Sequence, residues 1–98
     1  MKTYRLFLTD KAIEDLDDIW DYASQHDPEE ADRLIDRLHE KCLLLTQMPE
    51  RGMLRNDIGQ GIRRIIEGKH TIFYKVHSKR VDVIRILRST RDFSRHWS

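Results

Sequence analysis

A single cysteine, Cys42, leaves no partner for an internal disulfide and suits a reducing compartment. Long apolar runs are missing as well: none approaches the ~20 residues that cross a bilayer, so no contact with a membrane is expected. The opening MKTYRLFLTD is too short in its apolar part for a secretory signal, which makes a cytoplasmic location the expectation. Histidines 26, 39, 70, 77 and 96 are scattered without the paired spacing of a zinc site. There is neither a Gly-rich phosphate loop nor a nucleophile elbow. Hence no metal and no cofactor are expected. With 39% apolar and 36% charged residues, the 98-residue chain reads as one highly charged globular domain over 1–98.

Charge of one sign is scarce in each half. Residues 1–50 hold 6 Lys/Arg against 13 Asp/Glu, a balance of −7, whereas residues 51–98 hold 12 against 4, a balance of +8. A net charge of +1 therefore hides a dipolar chain whose basic half suits an acidic partner, either nucleic acid or an acidic peptide.

Tyr4 to Leu8 is rich in aromatic and aliphatic residues and predicts a short strand. Thr9 or Asp10 then caps a helix whose apolar stripe is Ala12, Ile13, Leu16, Ile19, Trp20 and Ala23. Glu14, Asp15, Asp17, Asp18 and Asp21 cover much of the rest, either as a solvated face or as a patch for a basic partner. Asp27-Pro28-Glu29-Glu30 starts a second helix, with Asp27 as cap, proline in the first turn and Glu30 as the capping-box acid. Its stripe is Ala31, Leu34, Ile35, Leu38, Cys42 and Leu45, and it ends before Pro49. So short a link makes the helices an antiparallel hairpin. Met48 to Gly61 is the least ordered-looking stretch. Strands follow at Ile62–Glu67, Thr71–His77 and Arg80–Leu87, with Gly68-Lys69 and Ser78-Lys79 as hairpin turns. Ser89 or Thr90 is placed to cap a last helical turn holding Arg91, Asp92, Phe93 and Trp97. The expected fold is α+β, ordered β-α-α-β-β-β: a helical hairpin on a small antiparallel sheet, whose other face is left available.

Arginines 63, 64, 85, 88, 91 and 95 exceed what solubility needs. Strand alternation places Arg85 with Val81 and Val83, and Arg88 with Asp82, Ile84 and Ile86. Each arginine either pairs with a nearby carboxylate (Glu67, Asp82, Asp92) or serves an acidic partner. Metal-free RNA cleavage needs a base, an acid and cations for the phosphorane charge. His70, His77 and His96 are the candidates for acid or base and the arginines for the cations; His70 and His77 fall at turns, where exposure is expected, and only His96 adjoins the arginine cluster.

Taken together, these stretches resemble the ParE branch of the RelE/ParE toxins of bacterial type II toxin–antitoxin modules. The matching residues are Leu8 and Ala12, the run Asp15 to Tyr22, Ala31 and Leu38, and Met48-Pro49-Glu50-Arg51-Gly52. Gly61-Ile62-Arg63-Arg64, Gly68, Ile72-Phe73-Tyr74, Val83 to Leu87 and Arg91-Asp92 complete the pattern in order. The resemblance implies growth arrest by inhibition of DNA gyrase, without catalysis, and neutralisation by a ParD-like antitoxin that wraps the toxin as a hetero-oligomer. It makes Ile13, Trp20, Tyr22, Arg63 and Arg85 candidate antitoxin contacts, and Arg88, Arg91, His96 and Trp97 candidate target contacts. The RelE branch, whose members cut messenger RNA on the ribosome, is the alternative, in which Arg64, Arg85 and Arg91 would hold phosphate and His96 act as acid or base; the loop from Met48 to Gly61 lacks the lysines of that branch. Trp97 stands six positions after Arg91, where those nucleases carry a tyrosine, and Arg88 stands where ParE members usually have histidine.

Overall fold

In the computed structural model, residues 3–88 are described; the proposed C-terminal turn, with Arg91, His96 and Trp97, lies outside them. The elements are β1 (Arg5–Leu8), α1 (Asp10–Ser24), α2 (Pro28–Gln47), β2 (Met53–Leu54), β3 (Ile62–Glu67), β4 (His70–His77) and β5 (Arg80–Leu87).

Both helices start where local chemistry dictates. Thr9 Oγ1 accepts a hydrogen bond from Ala12 N at 3.1 Å, satisfying one of the donors that a helix start leaves open. Asp27 Oδ1 does the same for Glu29 N at 3.0 Å and Glu30 N at 3.4 Å, with Pro28 in the first turn. Glu30 does not close the expected capping box: its carboxylate accepts instead from Arg33 Nε at 2.8 Å. α2 ends at Gln47, ahead of Pro49.

Two expectations about the sheet are corrected. It is mixed rather than antiparallel, with five strands in the order β1-β5-β4-β3-β2, and β1 runs parallel to β5 from Arg5 opposite Arg80 to Leu8 opposite Val83. An apolar run encodes no direction; here direction follows from the link into α1, where Thr9 N donates to Val83 O (3.0 Å) and Thr9 Oγ1 to Ile84 O (2.8 Å). The stretch Met48–Gly61 is also better ordered than its breakers suggest. It contributes β2, paired antiparallel with β3, and Tyr74 bolts it down: the phenol accepts from Gly52 N and donates to Pro49 O, both at 2.8 Å. A Cβ at Gly52 would stand 2.5 Å from that oxygen and 2.7 Å from Arg64 O, so only glycine fits this approach.

The main core lies between the hairpin and one face of the sheet. Leu38, Cys42, Leu45, Ile72, Tyr74 and Val83 are among its fully buried members. Cys42 is filler there, and burial pushes its thiol up to about 11. Because neighbours on a strand face opposite ways, Phe73, set between Ile72 and Tyr74, lies on the other face. A smaller cluster of Ile62, Phe73 and Leu87, with Ile58 and Ile84 against it, occupies that face, so it is not left wholly available.

One irregularity governs where the arginines of β5 end up. Tyr74 pairs with Val83 but Phe73 pairs with Arg85, leaving Ile84 as an extra residue in β5. Alternation therefore flips after Val83, and Ile86 joins Val81 and Val83 in the helix-side core.

Candidate functional site

α1 carries large apolar side chains that the fold does not bury. Ile13 is 47% exposed, Trp20 38% and Tyr22 56%. Ile13 and Trp20 are seven residues apart, two helical turns, and so share a face. Trp20 is fixed there by donating from Nε1 to Asp32 Oδ1 of α2 at 2.8 Å. Tyr22, two residues on from Trp20, points to the opposite side of α1, where its ring meets Arg88. Ile13 and Trp20 stand beside the carboxylates of the helix.

The two arginines grouped with them are placed differently. Arg63 donates from Nη1 to the carbonyls of Gly52 (2.8 Å) and Glu50 (3.3 Å), tying β3 to the loop that Tyr74 holds. Arg85 donates from Nε and Nη2 to the two oxygens of Asp15, both at 2.9 Å, and only 14% of its side chain is exposed. Those hydrogen bonds favour its charged form and outweigh the burial that opposes it.

Asp15 is the residue the sequence reading missed. Grouped with a solvated acidic face, it is in fact buried and accepts a third hydrogen bond, from Ile86 N at 2.9 Å. β1 stops at Leu8, so the edge of β5 beyond Val83 has no strand beside it, and Thr9 and Asp15 take over that role. The signal was present in the spacing: Asp15 stands three after Ala12 and four before Ile19, on the buried stripe.

His70 is a second correction. Expected at an exposed turn, it opens β4 and is 8% exposed, and its buried Nδ1 has no hydrogen-bond partner among the described residues. Burial, followed by the nearby Arg88 charge, pushes its imidazole below the ordinary histidine range. His77, in contrast, is exposed as expected and meets Asp82 at 3.0 Å.

The flip in β5 turns Arg88 toward the helices, not to the face of Asp82 and Ile84, and its guanidinium lies over the Tyr22 ring at 5.3 Å. Between them opens a cavity of about 360 Å³. Ile19, Tyr22, Ala23 and Leu34 form its apolar walls, and Asp18, Lys69, His70 and Arg88 supply its polar groups. On the other side of the sheet, Arg64 places Nη2 3.7 Å from Met53 Sδ, while its buried Nε has no partner among the described residues. Arg91, His96 and Trp97 lie outside the described residues. Among the described residues no group of three His, Cys, Asp or Glu side chains is placed to hold a metal ion, and no helix is long and apolar enough to cross a membrane.

Comparison with known proteins agrees with this architecture. A family model described as the ParE toxin of the type II toxin–antitoxin system parDE matches residues 6–93. Toxin ParE1 of Caulobacter vibrioides is 35% identical over 97 residues, covering 98% of each chain. Toxin ParE1 of Mycobacterium tuberculosis is 28% identical over 94 residues, covering 94% of this chain and 96% of that one. Among solved structures, a chain of the chromosomal ParDE toxin–antitoxin system of P. aeruginosa superposes with a TM-score of 0.74 at 28% identity, over 89% of this chain and 97% of that one. A chain of the toxin–antitoxin complex RelBE2 of Mycobacterium tuberculosis shares the fold, with a TM-score of 0.65 at 21% identity over 88% and 98% of the two chains.

Proposed function

The chain belongs to the ParE toxin family of type II toxin–antitoxin systems, and on that premise we propose that it arrests growth by inhibiting DNA gyrase without catalysis, neutralised by a ParD-like antitoxin. The observation that carries the non-catalytic part is the engagement of Arg85. As a nuclease the chain would need Arg85 to hold phosphate beside Arg64, Arg91 and His96. Instead its guanidinium gives two hydrogen bonds to Asp15 and is largely buried. A group spent on the fold in this way is poorly placed to meet a substrate.

The exposed Ile13 and Trp20, which share one side of α1, support the antitoxin half of the reading. An amphipathic helix laid along that side of the hairpin would bury both, the helix-in-groove mode of recognition, and a continuation of the antitoxin over the sheet would meet Tyr22 on the other side. The P. aeruginosa chain of like fold belongs to a ParDE toxin–antitoxin system, which favours a toxin working with a partner. Inhibition of gyrase places the toxin in the cytoplasm. Its target contacts on this reading are Arg88 together with Arg91, His96 and Trp97, the last three outside the described residues.

Mapping of message ends during growth arrest separates this reading from cleavage of messenger RNA on the ribosome. Expressed without antitoxin, the chain stops growth and leaves translated messages intact if it inhibits gyrase. New ribosome-dependent message ends, lost in a folded, antitoxin-binding His96→Ala protein, would overturn the reading in favour of an acid–base role.

A further inference from the structure

Strand alternation gives the sheet two faces of opposite character. Leu6, Val81, Tyr74 and Ile65 turn toward the helices, so their neighbours along each strand turn outward. The outer face thereby carries Arg5 on β1, Arg80 on β5, Lys75 on β4 and Arg64 on β3, one cation on each of four adjacent strands. All four are at least partly exposed. Among the described residues Asp82 is the one carboxylate that alternation places there, and Arg80 (2.7 Å) and His77 (3.0 Å) already answer it. The helical layer is the reverse: α1 and α2 hold 11 Asp/Glu against 4 Lys/Arg, a balance of −7. A polyanion is repelled on one side of the molecule and attracted on the other.

Arg64 does not stand alone at its edge of the face. With Arg51 it lines a hollow of about 190 Å³. Among the described residues each guanidinium gives its hydrogen bond to a thioether, Arg51 to Met48 Sδ at 3.8 Å and Arg64 to Met53 Sδ at 3.7 Å. A thioether is a weak acceptor, so both cations keep donors for a stronger one. Asp57 also feels the Arg64 charge, but Arg55 holds both its oxygens, at 2.8 and 2.7 Å.

We propose that the outer face of the sheet binds duplex DNA through its phosphates, without reading sequence. Arg5, Lys75, Arg64 and Arg51 are the phosphate contacts, and Arg80 keeps Asp82 neutralised beneath them. A single strand held by its bases needs exposed rings to stack on. Here Phe73 is fully buried, and Phe7, half exposed, already lies under the Arg80 guanidinium at 5.5 Å. What remains to be bound is backbone, whose charge is dense in a duplex, one per ~1.7 Å of axis. The choice of DNA over RNA rests on the gyrase reading, in which the toxin's target holds a DNA duplex. Arg88, turned toward the helices and Tyr22, stays free of this face, so gyrase and DNA can be held together.

The test is fluorescence anisotropy of the full chain, free of antitoxin and gyrase, with a labelled DNA duplex of arbitrary sequence. Four phosphate contacts at ~0.9 each predict a slope of about −3.6 in log affinity against log salt, a loss of roughly 100-fold between about 50 and 200 mM. Arg5→Gln and Lys75→Gln, made singly, should each reduce that slope by about 0.9 and leave the melting curve in place. Arg33→Gln, on α2, should change neither. A folded chain that fails to bind at the lower salt overturns the proposal. So does a slope that the outer-face variants leave unaltered, or a single-stranded RNA bound roughly tenfold tighter than the duplex. A chain that inhibits gyrase yet binds no DNA refutes this proposal alone, whereas one that binds DNA and leaves supercoiling undiminished refutes the gyrase reading alone.

Discussion

Asp15 and Arg85 are 70 residues apart in sequence and joined by two hydrogen bonds of 2.9 Å, and the same carboxylate accepts from Ile86 N. One side chain on α1 thus replaces the strand that β5 lacks beyond Val83. Asp15→Ala is expected to cost about 2–4 kcal/mol, because it strands a largely buried guanidinium and an unpaired N–H. Arg85→Met is expected to cost less, since Asp15 keeps its bond to Ile86. Urea denaturation of both variants checks the order, and equal stabilities would contradict it.

Tyr74 ties the Met48–Gly61 stretch to the core through two backbone groups. Tyr74→Phe removes the oxygen, leaves Gly52 N and Pro49 O without that partner, and should cost ~1–3 kcal/mol. Gly52→Ala should cost at least as much, because the added methyl meets the tyrosine and Arg64 O. Thermal unfolding of the two variants reads both effects.

The buried neutral His70 makes stability fall in mild acid. Its folded pKa lies below the ordinary 6.5, so the unfolded chain takes up a proton first as pH drops. Stability from this source is therefore full above 6.5 and declines as pH falls from there toward the lowered folded value, below which the loss is complete. Against His70→Gln, which cannot titrate, the natural chain should lose stability between pH 7 and 5. Parallel curves for the two proteins would show that His70 carries no such linkage.

Ile13 is nearly half exposed on the apolar stripe of α1. Ile13→Glu should leave folding within about 0.5 kcal/mol, the usual range for surface changes, yet weaken antitoxin binding roughly tenfold or more. Calorimetry with the antitoxin and a melting curve together distinguish this outcome from simple misfolding.

The helices were legible because their signals are local. Thr9 and Asp27 cap from the positions their side chains predict, and Pro49 ends α2 in time. Strands β3 to β5 and their hairpins followed from apolar runs and short turns. What escaped depends on residues distant in sequence. The parallel pairing of β1 is set by Thr9 reaching Val83 and Ile84, and β2 is too short to carry a periodic pattern. The extra residue Ile84 shifts the side-chain alternation, which is why Arg88 turned out to face Tyr22. Asp15 and His70 were misplaced because polar residue types argue for solvent until a partner or a neighbour is known. Of the candidate contacts, Ile13, Trp20 and Tyr22 came from the family resemblance, the first two also lying on the stripe that helical spacing predicts, whereas the engagement of Arg63 and Arg85 needed the three-dimensional fold.

The central claim is best tested by plasmid supercoiling with purified gyrase, in the presence and absence of this chain, with antitoxin as the reversal control. The account predicts loss of supercoiling or trapped cleaved DNA, relieved when antitoxin is added. Undiminished supercoiling by a folded, antitoxin-free preparation would contradict it.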